Sequence, residues 1–136
     1  MPADGGEPVR ITYHGGIYAQ EAPDGNCLYY ERSNEGKVGK SNLMQVPIGG
    51  GPEIAVLYGL TSFAWSVARS GIYFLVREFD FDAIDHYRYS DHRVTRIGRL
   101  PGRAALNRIS VSPDERWVLI PQTNQRSDLM LLENFK

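Results

Sequence analysis

Cys27 is the only cysteine among the 136 residues of this chain, so an internal disulfide is excluded and the redox compartment stays open. Its place in the apolar run Cys27-Leu28-Tyr29-Tyr30 predicts a small buried core residue rather than a reactive thiol. Long hydrophobic runs are absent too, and none approaches the ~18 apolar residues of a membrane-spanning helix. Met1-Pro2-Ala3-Asp4-Gly5-Gly6 lacks the basic and apolar regions of a signal peptide, so the compartment is unknown and no membrane partner is expected. Charge of one sign is missing as well. With 15 Lys and Arg against 16 Asp and Glu, no global field recruits nucleic acid or anionic lipid. No segment sustains a capped 3.6-residue apolar period, which predicts almost no helix.

Catalytic and metal-binding patterns are equally sparse. Gly39-Lys40-Ser41 has Asn34 where a phosphate loop needs glycine, and no strand-loop-helix context surrounds it. It reads as a hairpin loop entering a strand. Glu78, Asp80, Asp82 and Asp85 could supply oxygen ligands, but the turn glycine of a calcium loop is absent. The interleaved Phe79, Phe81 and Ile84 make that run a solvated loop with aromatic anchors. His14, His86 and His92 share no metal-ligand spacing, and there is no Gly-x-Ser-x-Gly elbow. Arg88, Arg93, Arg96, Arg99, Arg103 and Arg108, with Tyr87 and Tyr89 between them, could form a nucleic-acid surface. The neutral total and the preceding acidic run make solvated rim strands the better reading. No catalytic residue, cofactor or metal is therefore expected.

What the chain does have is a match to itself at a shift of 45 residues. Pro2, Gly5, Gly6 and Val9 fall on Pro47, Gly50, Gly51 and Ile54. Ala22-Pro23-Asp24-Gly25 recurs two periods on as Ser112-Pro113-Asp114-Glu115, each ahead of an apolar run, Cys27–Tyr30 and Trp117–Ile120. A middle copy keeps Ser70-Gly71 and Ile72-Tyr73-Phe74-Leu75-Val76 without the Pro-Asp. With 14 glycines and 8 prolines, the chain reads as turn-rich and all-β. A period of this length with strand-like units points to a propeller array.

Runs of β-branched and aromatic residues between Gly, Pro, Asn and Asp clusters place the strands. A lone strand over 8–12 precedes a set at 16–21, 27–32, 41–47 and 53–58. A second set spans 62–67, 72–77, 84–90 and 93–98, and a third, one strand short, 107–112, 116–122 and 127–132. The second strand of each set is apolar on consecutive residues, which predicts burial on both faces. Trp65 and Trp117 fall in the first and second strands of their sets and are expected in the core. The chain thus divides into an outer strand over 1–12, blades over 13–58 and 59–98, and a three-stranded remainder over 99–136.

These Pro-Asp-Gly hairpins, with Leu43-Met44-Gln45-Val46-Pro47 and Ser127-Asp128-Leu129-Met130-Leu131-Leu132, resemble the TolB-like propellers of the wider WD-repeat-like class. The resemblance implies four-stranded antiparallel blades, often the C-terminal part of a longer bacterial protein, and a non-catalytic protein-interaction or ligand-sensing role. Twelve strands make three blades, too few for an ordinary ring. Two copies could close a six-bladed homodimer, with Val9 and Ile11 of one pairing with Leu129, Met130 and Leu131 of the other. The alternative partner is a set of missing upstream blades, the chain being a structural fragment without activity of its own. A hydrolase or lyase working from a channel site is the remaining reading. The innermost strands would line a channel, with Gln20, Glu21, Ser66, Asn107 and Ser110 as its polar contributors.

Overall fold

The computed structural model describes residues 5–33, 39–104 and 108–121. Ten strands and no helix occur among them. A first antiparallel sheet runs in order through β1 (Ile17–Glu21), β2 (Cys27–Ser33), β3 (Lys40–Pro47) and β4 (Ile54–Thr61). A second repeats that order with β5 (Trp65–Val67), β6 (Gly71–Arg77), β7 (Asp82–Arg88) and β8 (Val94–Arg99). The third consists of β9 (Ser110–Val111) and β10 (Val118–Leu119). The chain is all-β, and its larger sheets are four-stranded meanders. The strand expected over 127–132 lies outside the described residues.

Three cores separate the layers, and strand alternation explains how one strand serves two of them. On β2, Cys27 and Tyr29 face a core shared with Trp65, Ile72 and Phe74 of the second sheet. Leu28 and Tyr30 point the opposite way, toward Met44 and Val46, with Ile11 lying over them. On β6, Ile72 and Phe74 face back to the first sheet, while Tyr73 and Leu75 face forward to Ile109, Val111, Val118 and Ile120. That sandwiching is why β2 and β6 carry apolar residues without alternation. Trp65, Leu43, Ile72, Leu75 and Val46 are almost wholly buried, each aliphatic one contributing about 2 kcal/mol.

The repeat is also written in the backbone. Gly5 and Gly6 have positive φ of 104° and 126°, and Gly50 and Gly51, their counterparts, 83° and 142°. Tyr18 and Phe63, likewise one period apart, both take left-handed φ of 48° and 64°. The first and third hairpins share one turn: Ala22 N–H donates to Cys27 O at 2.9 Å and Ser112 N–H to Trp117 O at 3.0 Å. In both, the Asp carboxylate accepts a backbone N–H two residues on, from Asn26 at 3.1 Å and Arg116 at 3.2 Å. The middle hairpin closes instead from Ala68 N–H to Gly71 O at 2.8 Å, around Arg69 and Ser70 alone. It is two residues shorter, so the Pro-Asp pair has no place in it.

Four expectations need correction. Residues 8–12 form no strand, and no backbone–backbone hydrogen bond ties them to the other described residues. A strand needs a ladder partner, and the proposed one at 129–131 lies outside the described residues. Trp117 is 68% exposed, not core, because the described third sheet is two short strands with an open far face. The acidic run is a solvated loop only over 78–80, where Phe79 is exposed rather than an anchor, since β7 begins at Asp82 and buries both Asp82 and Asp85. The second sheet's first strand begins at Trp65 rather than 62, after the left-handed turn at Phe63.

Candidate functional site

The first strands of the three sheets lie side by side, β1 against β5 and β5 against β9. Where they meet is an open cavity of about 630 Å³ lined by Tyr18, Gln20, Ser66, Arg108, Ser110 and Leu119, among others. Three of the five residues expected to line a channel therefore share one cavity: Gln20, Ser66 and Ser110. Glu21, exposed and one residue past Gln20, does not join them; a strand sends neighbouring side chains to opposite faces, and its carboxylate lies by the Gly25 turn. Asn107 lies outside the described residues, as do Leu129, Met130 and Leu131. Val9 is 73% exposed, and Ile11 rests on the outer face of the first sheet.

Gln20 is largely consumed by structure. Its amide nitrogen donates to Trp65 O at 3.3 Å and to the Tyr18 hydroxyl at 3.2 Å, and its oxygen accepts Val67 N–H at 2.9 Å. The side chain thus completes the backbone hydrogen bonding along the edge of β5 and staples β1 to it. Ser66 and Ser110 line the cavity with the exposed Arg108. Neither serine has a histidine or carboxylate among the cavity's lining residues to act as a base.

Polar groups that sequence reasoning missed hold the sheets in place. Glu31, fully buried on β2, accepts from Ser41 Oγ at 2.8 Å, Phe63 N–H at 2.5 Å and Trp65 Nε1 at 2.6 Å. Asp82, equally buried, accepts Ala104 N–H at 2.8 Å and Arg103 Nη1 at 2.7 Å, anchoring the segment that leads to the third sheet. Burial opposes its charge, but the Ala104 amide and the Arg103 and Arg77 guanidinium groups outweigh it and lower its pKa. Arg96 holds Asp85 at 2.8 Å and Glu78 at 3.4 Å. Arginines thus neutralise most of the acidic run, and no metal-holding group of His, Cys, Asp or Glu occurs among the described residues.

Two further clasps join distant segments. Glu115, left-handed at φ 56°, reaches Ser70, its counterpart one period earlier, accepting from Ser70 N–H at 2.8 Å and from the Ser70 hydroxyl. Burial works against the Glu115 anion, yet Ser70 and Tyr73 hold its carboxyl below the usual range. Glu53 accepts Tyr13 N–H at 2.9 Å, His14 Nδ1 at 3.1 Å and the Arg32 guanidinium, pinning the N-terminal segment. The Tyr13 amide, with His14, Tyr30 and Arg32, pulls the Glu53 carboxyl down to about 2.

No family model matches the chain, and no curated protein matches it.

Proposed function

We propose that the chain is a propeller-type array of the TolB-like, WD-repeat-like kind, acting as a non-catalytic binding or scaffold module around the cavity of Gln20, Ser66 and Ser110. The observation that carries this reading is the convergence of β1, β5 and β9 on that cavity, with the second sheet packed between the first and the third. Rigid sheets would display the loops and the cavity, and recognition would occur there.

The partner that completes the array is a second copy of the chain. Trp117 and Leu119, at the hairpin positions of Cys27 and Tyr29, are each 68% exposed, whereas Cys27 and Tyr29 are buried by the following sheet. The third sheet therefore presents a face shaped to receive another. At the opposite end, Ile11 stands one period before Val56. Ile11 packs on the outer core of the first sheet much as Val56 packs on the core beside the second. Residues 8–12 thus sit where the outer strand of a preceding sheet belongs, and they make no backbone–backbone hydrogen bond among the described residues.

Sedimentation analysis with Trp117 fluorescence tests this. A dimer with Trp117 shielded from acrylamide is expected, and Leu119→Asp should yield folded monomers with Trp117 quenched. A wild-type chain that stays a folded monomer with Trp117 accessible would overturn the dimer and favour missing blades instead.

A further inference from the structure

A second concavity, at the turn end of the first two sheets, belongs to neither the shared cavity nor the open face. Its volume is about 480 Å³, within the range of small-ligand pockets. Three turns wall it. Pro23 and Asp24 come from the first hairpin, Arg69 from the short middle hairpin, and His92 from the β7–β8 turn. Its floor is aromatic: Tyr29 from β2, Tyr87 from β7 and Tyr89 just beyond it, with Gln45 of β3 alongside.

The rings are held rigidly. Tyr29 and Tyr89 stack at 5.8 Å with planes 9° apart, and Tyr87 meets Tyr89 edge-on at 6.3 Å. The Tyr87 hydroxyl pairs with His92 Nδ1 at 2.7 Å, fixing both side chains. Burial raises the pKa of all three phenols, Tyr29 to about 12, so the floor stays neutral at physiological pH.

The polar groups divide unevenly. Asp24 is already engaged, its oxygens taken by Asn26 N–H at 3.1 Å and Asn26 Nδ2 at 3.0 Å. The Gln45 amide nitrogen donates to Cys27 Sγ at 3.2 Å. Arg69 is exposed and has no carboxylate partner among the described residues. The Tyr89 hydroxyl is buried and faces the Tyr29 hydroxyl without a well-formed hydrogen bond to it. An aromatic floor of crossed rings with one unpaired cation at the rim suits a ligand with a ring and an anionic oxygen group.

We propose that this cleft binds a small aromatic carboxylate, its ring packed among Tyr29, Tyr87 and Tyr89 and its carboxylate held by Arg69. All the described lining residues belong to the strands and turns of the first two sheets of one chain, so the site stands whether or not a second copy closes the array.

The test uses 4-hydroxyphenylacetate and its neutral counterpart 2-(4-hydroxyphenyl)ethanol as probes, read by fluorine NMR on chain carrying 3-fluorotyrosine. Saturable shifts confined to Tyr29, Tyr87 and Tyr89 are expected, out of 8 tyrosines in all. The neutral probe should bind at least about tenfold more weakly, the loss of one charge-assisted contact. Arg69→Gln should cause a similar loss, while Arg10→Gln, which removes a remote charge, should leave binding unchanged. Arg69 is exposed in a two-residue turn, so its variant should unfold at the wild-type urea midpoint. Absent shifts at these tyrosines, or equal binding of the two probes, would overturn the proposal. So would equal loss in Arg69→Gln and Arg10→Gln.

Discussion

Glu31 offers the sharpest test of how the first two sheets are joined. Its carboxylate is wholly buried, and three donors converge on it, with Phe63 N–H and Trp65 Nε1 sharing one oxygen and Ser41 taking the other. Glu31→Met keeps most of the side-chain volume and removes every acceptor. The Phe63 amide and the indole N–H would then be left unpaired in the core, each costing about 1–3 kcal/mol. The loss should reach about 4 kcal/mol, a large share of the ~5–15 kcal/mol that holds a domain together. Glu31→Gln keeps a carbonyl oxygen for Phe63 and Trp65, and its amide can donate to Ser41 Oγ, a hydroxyl that accepts as readily as it donates. Only the charge assistance disappears, so the cost should stay near 1 kcal/mol.

The assay is urea unfolding followed by far-UV circular dichroism and by Trp65 fluorescence, in a Trp117→Phe background that leaves one indole. Methionine should shift the midpoint far below wild type, with glutamine close to it. If Glu31→Met unfolds within about 1 kcal/mol of wild type, the side chain acts by filling space and the hydrogen-bond argument fails.

Three other outcomes follow from named contacts. His86 is buried against Tyr73, ring centroids 4.2 Å apart, and burial lowers its pKa below the ordinary 6.5. The unfolded chain then binds the proton first as pH falls, so stability should decline below about pH 6.5 until the folded pKa is passed. His86→Gln should flatten that slope between urea midpoints at neutral and mildly acidic pH; an unchanged slope assigns it elsewhere. A β-carbon on Gly71 would sit 1.9 Å from the carbonyl oxygen of Tyr87 and 2.5 Å from His86 Nε2. Gly71→Ala should therefore cost at least about 3 kcal/mol in a urea titration, because the facing backbone cannot swing aside. Glu53 titrates from about 2 instead of 4.5, so its clasp on Tyr13 is complete above the unfolded value and weakens as pH falls toward 2. The Tyr13 amide proton shift should follow that low midpoint and lose its acid dependence in Glu53→Gln; a midpoint at 4.5 would contradict the clasp.

Strand order was legible in the sequence because its carriers are local. Pro-Asp turns set two hairpins, and consecutive apolar residues on β2 and β6 announced a sheet packed on both faces. That same signal could have exposed Glu31, since a strand buried on both faces must find partners for any polar residue within it. The partners, Phe63 and Trp65, stand 32 and 34 positions away, and no local pattern points to them. The tyrosine cleft was illegible for a like reason. Tyr29 and Tyr89 belong to different sheets and meet only once those sheets stack.

The period itself misleads in its middle copy. A strict 45-residue slide lays Ile72 on Cys27, yet Ile72 faces the preceding sheet, as Leu28 faces the preceding side of its own. The cause is the hairpin at Arg69 and Ser70, two residues shorter than the first and third, which gives one residue to each flank and moves β6 by one position against the repeat. On a strand, a shift of one exchanges the two faces. Tyr73 therefore matches Tyr29, and Leu75 stands where Glu31 stands, which accounts for the different chemistry at the next interface. There Asp82 of the following strand, rather than a residue of β6, supplies the buried carboxylate that anchors the incoming segment. In the third copy the longer turn returns, and Trp117 and Leu119 fall back into phase with Cys27 and Tyr29. Their exposure is thus that of the forward face of the last described sheet, the face that in their counterparts is covered by the following sheet.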